Sequence, residues 1–441
     1  MTELKDRNQN PWYILMTLFG EQVEERFDHT LSAENRHAWN SWVLTGVSDD
    51  EEREKLKRLA GWEEGKIESW QFEVTDIETL YRNEMRARNG AEFDIPRLPA
   101  PTAEIDCTRL EFQNALNIDG FIFPKAADFF ESHFLARLHG RKAVFGQICK
   151  FQKCEFKAPV VFSDAQFLGI TEFFQSFCRN GFFATTARFE KFANFAEVDF
   201  YGMTEFSEIS FEGVVHFRDA TFHGRGEVSS HRIDFSDTTF EKPVNFRRTV
   251  FMQRYPRFSG TVFHDNSIFS PEEEYWPSVT VAEPVEAKEF CARARILMSR
   301  QGFSEEEHQF FRREMAFAGR LGGWERRLPY RLFGFLSNYG ESIQRPVLGL
   351  VGLVTVFWLV FLSNFAWNAI RYDGARTGFE ALALSLSNSF SFFGFQRLYF
   401  GSDYIEALPI WIKAASATQT VLAFILLFFL GLGLRTRFRL R

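Results

Sequence analysis

A ladder of phenylalanines running from Cys107 to Phe263 constrains this chain more than any other feature. Steps of eleven residues meet Phe112, Phe123, Phe134, Phe145, Phe156, Phe167, Cys178, Phe189, Phe200, Phe211 and Phe222. Ten of these eleven positions are Phe, in a chain with 55 Phe among 441 residues, so chance is excluded. A second ladder lies between the rungs: Cys107, Ile118, Phe129, Gly140, Phe151, Phe162, Phe173, Ala184, Phe195, Phe206 and Phe217. The spacing therefore alternates five and six residues. Two positions before most rungs stands a small or aliphatic residue, such as Ala143, Cys154, Ala165, Val198 and Ile209, or Ala127, Cys149, Val160 and Val215.

An eleven-residue unit cannot bury its own apolar face, so such units must stack and share one continuous core. A helix would repeat apolar residues at i, i+3, i+4 and i+7. Here the inward pair is i and i−2, which is strand periodicity on one side of a coil. Gly, Asp, Asn and Ser fill the intervening positions and turn corners at low cost. Four sides of five, six, five and six residues make a coil of about 22 residues, and strands roughly 4.8 Å apart give a rod about 35 Å long. Two inserts break the register and are expected to bulge as loops. One is His223–Ile233, where Phe235 arrives thirteen residues after Phe222, and the other surrounds Arg254–Arg257.

The stretch "ANFAEVDFYGMTEFSEISFEGVVHFRDATF" (Ala193–Phe222) resembles the pentapeptide-repeat proteins in their Phe-centred variant. The resemblance covers about a third of the chain. It implies a right-handed quadrilateral β-helix, and with the flanking segments taken up below the expected fold is mainly β with α: this β-helix, a helical N-terminal cap, a C-terminal helical hairpin and two transmembrane helices. The structural core ladder is then Phe145, Phe156, Phe167, Phe189, Phe200, Phe211 and Phe222, pointing inward. The family's fold does not dictate an activity.

The expected domains are 1–100, a helical cap; 101–270, the β-helix; 271–345, a helical hairpin with an interfacial segment; and 346–441, a two-span membrane domain. In the first, "NPWYILMTLFGEQ" (Asn10–Gln22) has Pro at a helix start, and Glu34–Trp42 and Asp49–Gly61 suggest further helices. Trp12, Trp39 and Trp42 with Asn35 and Asn40 compose either a ligand cleft or, as the weightier reading, the small core of a solenoid cap. "RLPAP" (Arg97–Pro101) links the cap to the rod. Beyond the rod, Glu286–Gln301 ends at Gly302, and Ser304 with Glu307 forms a capping box for a second helix. "EEEHQFFRREM" (Glu305–Met315) holds one His, His308, so a solvated acidic turn facing Arg312 and Arg313 explains it better than a metal site. No cofactor is implied.

Four of the five cysteines (Cys107, Cys149, Cys154, Cys178) fall in or beside inward ladder positions, with Cys291 elsewhere. That placement fits buried thiols in a reducing compartment, not disulfides or metal ligands. The N-terminus, "MTELKDRNQN", carries no basic-then-apolar signal, so the expectation is a cytoplasmic location for this region. A net charge of −7 argues against a general nucleic-acid binder.

The second strong signal lies near the C-terminus. Val347–Ile370 is 24 residues without a charge and Ala414–Leu434 is 21, each long enough to span a hydrocarbon core of about 30 Å. Arg326, Arg327, Arg331 and Arg345 precede the first span; Arg435, Arg437, Arg439 and Arg441 follow the second. The positive-inside rule puts both chain ends, and the rod, in the cytoplasm, with the protein in the inner membrane. "WERRLPYRLFGFLSNYG" (Trp324–Gly340) mixes Arg with aromatics and suits the lipid interface. Membrane lipid is thus one expected partner.

Between the spans, "FEALALSLSNSFSFFGFQRLYF" (Phe379–Phe400) is too short and too polar for an ordinary span. Two spans around a re-entrant stretch with Ser385, Ser387, Asn388, Ser389 and Ser391, then Gly394, Phe395 and Gln396, look like the architecture of two-helix cation channels. There, backbone carbonyls of a filter replace an ion's water. Laid on the potassium-channel filter, the Gly394–Phe395 step matches, whereas the Thr, the second Gly and the acid do not. The candidate pore residues are Ser389, Ser391, Gly394, Phe395 and Gln396. The whole arrangement is similar to membrane-bound bacterial pentapeptide-repeat proteins.

Three function classes follow. The first is a membrane-anchored cytoplasmic scaffold whose rod surface binds an unidentified protein partner. The second is a homo-oligomeric ion channel or channel-like sensor with the rod as regulatory domain. The third is a gyrase-binding DNA mimic, opposed by the membrane spans and by the basic residues Arg218, Arg225, Arg232, Arg247 and Arg248 along the rod. An enzyme is not expected, because the chain has no Gly-rich phosphate loop, nucleophile elbow or metal constellation. His133, His216 and His231 read as surface residues of the rod.

Overall fold

Each rung of the ladder sits on its own short strand. The computed structural model describes residues 3–23, 27–62, 76–224, 232–280, 282–372 and 378–438. His231, Arg225, Arg439 and Arg441 lie outside the described residues. The strands run from β1 (Ile105–Asp106) to β27 (Ile268–Phe269), nearly all of two residues, and join four parallel sheets. From β1 to β26 partner strands are four places apart, as in Ile105↔Ala127 and Glu155↔Phe177, so one coil takes 22 residues, and β27 pairs with β25. The fold is a parallel β-solenoid of stacked coils with helices at both ends.

The two eleven-residue ladders resolve into four columns, one inside each sheet. Their rings stack face to face at the strand spacing: Phe145 on Phe167 at 4.9 Å and 4°, Phe167 on Phe189 at 4.6 Å, Phe134 on Phe156 at 4.7 Å, Phe200 on Phe222 at 4.8 Å. Phe145, Phe156, Phe167, Phe189, Phe200, Phe211 and Phe222 are all buried. Small residues at i−2 leave room for these rings, and several also tie the corners. Ser132 Oγ donates to the Cys107 carbonyl at 2.8 Å, Cys154 Sγ to that of Phe129 at 2.9 Å, and Thr249 Oγ1 to that of Phe217 at 2.7 Å. Burial raises the Cys107, Cys149, Cys154 and Cys178 thiols above their ordinary range, and none of the five cysteines is in a disulfide.

The alternation of five and six residues has a backbone cause. In every five-residue side the third residue is left-handed: Glu131, Lys142, Lys153, Asp164 and onward to Asp219 all have φ between +55° and +62°. The six-residue sides turn with one extra residue instead. At the first insert Thr204 pairs with Ile233, seven residues more than one coil; at the second Asp234 pairs with Arg257, one residue more. The solenoid then runs past Phe263. Phe269 stacks on Phe246 at 4.9 Å, and Trp276 takes the next aromatic place, stacked on Phe251 at 4.9 Å.

Among the described residues, four α-helices close the first coil: α1 (Pro11–Met16), α2 (His29–Leu44), α3 (Asp50–Ala60) and α4 (Ile77–Asn89). Asn40 acts as a strand substitute, its Nδ2 donating to the Gly120 carbonyl at 3.0 Å and its Oδ1 accepting from the Ile122 N–H at 2.9 Å. Trp39 Nε1 donates to the Ile122 carbonyl at 2.8 Å, and Trp12 packs edge-on against Trp39. These residues form the solenoid's cap. The sequence reading passed over α4, although Ile77, Tyr81 and Met85 recur every four residues and are buried. At the other end Phe290 of α5 (Pro284–Gln301) covers Phe258, Phe269 and Trp276. Gly302 ends α5 at φ +78°, as expected. In α6 (Ser304–Ala318) the Phe303 carbonyl accepts from the Glu307 N–H at 2.9 Å, which puts the cap one residue before Ser304.

The chain divides into two compact units, Met1–Phe311 and Arg312–Arg441. The second holds α7 (Trp324–Ser337), α8 (Gln344–Tyr372), α9 (Gly378–Ser389), a short turn at Ser391–Phe393, α10 (Phe395–Ala407) and α11 (Ile410–Phe438).

Candidate functional site

The second unit is built inside out. Helices α8 and α11 are antiparallel: Leu350 packs with Ala423 and Leu426 at one end, and Phe361 with Ile412 at the other. Both are long and apolar enough to cross a membrane, yet only 17% and 22% of their most apolar windows are buried. Leu348, Val351, Val356, Leu359, Val421, Phe424 and Phe428 are exposed. Gln419, Ser385, Asn388 and Ser389 are buried. In water the hydrophobic effect drives the opposite arrangement.

The segment between the two long helices turns back into the bundle. Trp358 Nε1 donates to the Gly378 carbonyl at 2.9 Å where α9 begins, and Ser385 Oγ donates to the Val354 carbonyl at 2.8 Å. At 1.5 Å per residue, Val354 lies about 27 Å along α8 from its C-terminal end, and Gln419 about 14 Å into α11. The chain reverses at Ser391–Phe393 and returns through α10 to Leu408, which packs with Phe361 and Ile412. It enters and leaves on the same side.

Gln419 organises the inner end of this hairpin. Its Nε2 lies 2.9 Å from the Ser385 carbonyl, 2.7 Å from Ser385 Oγ and 3.0 Å from Ser389 Oγ. Its Oε1 accepts from Asn388 Nδ2 at 3.2 Å, and Asn388 Oδ1 accepts from Gln396 Nε2 at 3.1 Å. Of the candidate pore residues, Ser389 and Gln396 therefore belong to one buried polar network. Ser391 lies in the turn, with Phe392 and Phe393 exposed. Gly394 is left-handed, φ +72°, and caps the turn, and Phe395 starts α10. This stretch is a helix–turn–helix, so its carbonyls are not arrayed in an extended filter. The partner of the network, Gln419, is the sixth residue of the uncharged run Ala414–Leu434, and a lone Gln there was the signal available in the sequence.

Helix α7 carries a face of its own. Trp324, Leu328, Leu332 and Phe335 are exposed and fall on one side at helical spacing. Phe333, on the opposite side, stacks on Phe429 at 5.6 Å.

On the solenoid, outward side chains of opposite sign pair along and across the coils: Lys150 with Asp128 at 3.0 Å, Arg179 with Glu155 at 2.6 Å, Arg248 with Asp219 at 2.6 Å, Arg232 with Asp234 at 3.2 Å. His133 and His216 occupy outward strand positions. One face differs. Phe177 is exposed, Tyr201 stacks on His223 at 3.8 Å, and the Arg179 guanidinium lies 5.8 Å from the Phe177 ring and 5.9 Å from the Tyr201 ring. Sequence reasoning missed this column, because its residues are unlike one another and 22 residues apart. No group of three or more His, Cys, Asp or Glu suited to a metal occurs among the described residues. Comparison with protein-family models, with curated proteins and with solved structures returned no match.

Proposed function

We propose that this chain is a membrane-anchored pentapeptide-repeat protein whose β-solenoid is a cytoplasmic protein-interaction scaffold. The observation that carries the anchor is the inverted polarity of the bundle, with apolar side chains of α8 and α11 outward and Gln419 of α11 and Asn388 and Ser385 of α9 inward. That arrangement suits a hydrocarbon surround, in which polar groups must find partners within the bundle. The Arg-rich ends of the two spans favour the cytoplasmic side for both chain ends. The exposed Trp324–Phe335 stripe of α7 fits the headgroup region. On the solenoid, the Phe177–Arg179–Tyr201–His223 column offers the aromatic and Arg types enriched at protein interfaces, and the pairing of acidic with basic residues along the coils opposes a DNA mimic. The bacterial inner membrane is the location this reading implies, and no catalytic role is part of it.

The return hairpin of α9 and α10 favours a second reading, a homo-oligomeric channel or channel-like sensor, since such hairpins are tolerated at membrane depth when buried in protein or lining water. One purification separates the two. Full-length protein extracted from membranes that resist carbonate washing is sized in detergent and reconstituted for cation-flux measurements beside Gly394→Val. An integral monomer without flux supports the anchor. An oligomer whose flux Gly394→Val abolishes supports the channel. Release by carbonate refutes both.

A further inference from the structure

The geometry points to a binding site for a small organic ammonium cation between α9 and α10. A cavity of about 770 Å³ opens there, within the range of small-molecule sites. Phe390, Phe395, Tyr399 and Phe400 form much of its wall, and Ser387 adds a hydroxyl. Phe395 and Tyr399 lie one helical turn apart with ring centroids 6.1 Å apart. Among the described lining residues, Glu380 supplies the only carboxylate, and none is Lys, Arg or His. Its Oε2 is buried and accepts no hydrogen bond among the described residues.

A carboxylate oxygen buried without a donor is costly, and the wall offers none that reaches it. The start of α9 compensates in part, through the helix dipole. A ligand that completes the site must bring positive charge to Glu380 and apolar surface to the rings. An alkylammonium does both, its charge facing the carboxylate and its methyl or methylene groups lying on aromatic faces. A hard metal ion needs about six oxygens, which one carboxylate and the hydroxyls of Ser387 and Tyr399 do not supply. An anion is repelled by Glu380, and a hydrocarbon chain leaves the carboxylate without a counter-charge. This assignment stands whether the unit is an anchor or a channel.

The test uses full-length protein in a nonionic maltoside, with benzyltrimethylammonium as the probe and 3,3-dimethylbutan-1-ol as an uncharged competitor, followed by titration calorimetry. Saturable binding is expected, weakened at least tenfold by Glu380→Gln and several-fold by Phe395→Leu, with unchanged thermal midpoints as the check on folding. Should Glu380→Gln fail to fold, Phe395→Leu and the uncharged competitor carry the test in its place. Displacement of the probe by added phosphatidylcholine but not phosphatidylglycerol identifies a lipid headgroup as the source of the cation; no displacement by either identifies a free amine. Absence of saturable binding, equal affinity in Glu380→Gln, or equal competition by the uncharged alcohol overturns the proposal.

Discussion

Phe182 fills the interior volume that Ala184, two residues further on, leaves at the rung. The Phe182 ring is buried and lies within 5.2 to 5.6 Å of the rings of Phe173, Phe200 and Phe206. Large and small residues have exchanged positions within one coil side, and the summed volume is kept. Phe182→Ala is therefore expected to cost about 3–5 kcal/mol, as a large buried cavity does. The double variant Phe182→Ala with Ala184→Phe restores the prevailing pattern and should recover more than half of that loss. Chemical denaturation followed by the solenoid's circular dichroism measures both; a double variant no better than the single one refutes the exchange.

This exchange also marks where the sequence stopped being legible. The Phe ladder declared the coil length, the four sides and the inward pair, because every coil faces the same packing problem. Gly140 and Ala184 broke the ladder in sequence but not in space. A Cβ at Gly140 would lie 2.7 Å from the Phe162 ring of the next coil, so the rung is empty because its neighbour needs the room. Column membership depends on which residues lie one coil apart, and the inserts at 223–233 and 254–257 shift that distance. The inner network escaped for the opposite reason: Gln419, Ser385 and Gln396 come from three elements with no shared period, and only tertiary packing brings them together.

Glu21 pins the cap to the first coil. Its carboxylate pairs with Arg88 at 3.0 Å and Arg7 at 3.3 Å, accepts from Tyr13 Oη at 2.8 Å, and accepts from Asn114 of the solenoid. Burial alone would raise its pKa; the hydrogen bonds from Tyr13 and Asn114 and the Arg7 guanidinium outweigh burial and hold it below the usual range. A depressed folded-state pKa gives stability that is full above the unfolded value, near 4.3, and is lost as pH falls through the lower folded value. Glu21→Gln should destabilise the cap by about 2 kcal/mol at pH 7, and the difference from wild type should shrink as pH falls through the lowered folded-state value. Hydrogen exchange at the Leu110–Ile118 amides across pH reads this out.

The left-handed corners are a second, dispersed cost. Lys142 sits at φ +55° in a side that only five residues can close with such a residue. Lys142→Gly relieves that strain but frees the unfolded chain, so its net effect should fall within about 1 kcal/mol of zero. Lys142→Val, β-branched at positive φ, should destabilise by about 1–2 kcal/mol. Comparable losses from Gly and Val would show that the corner does not depend on this conformation.

Asn40 completes an open strand edge with a side chain. Asn40→Ala removes the acceptor for the Ile122 N–H and the donor for the Gly120 carbonyl, both buried, for an expected loss of about 2–4 kcal/mol. Exchange of the Ile122 amide should accelerate far more than that of Val144, one coil inward. Equal acceleration at both positions would mean that the cap and the coils open together.

Gln419 gives the last test, because its role differs between water and hydrocarbon. Its amide reaches Ser385, Ser389 and Asn388, and Asn388 in turn holds Gln396 of α10. Gln419→Leu keeps the bulk but leaves those groups without their shared partner. Measured cycles for buried polar contacts between membrane helices average about 0.6 kcal/mol and reach about 1.7, so a loss of about 1–2 kcal/mol is expected for a residue with several contacts. The informative comparison is with Phe424→Ala on the exposed face of the same helix. If lipid surrounds α11, Phe424→Ala should leave the thermal midpoint in nanodiscs nearly unchanged while Gln419→Leu lowers it. If the exposed apolar face is instead covered by protein, Phe424→Ala should be the more damaging of the two, and the inverted polarity of α8 and α11 would then describe an interface between chains and not a membrane anchor.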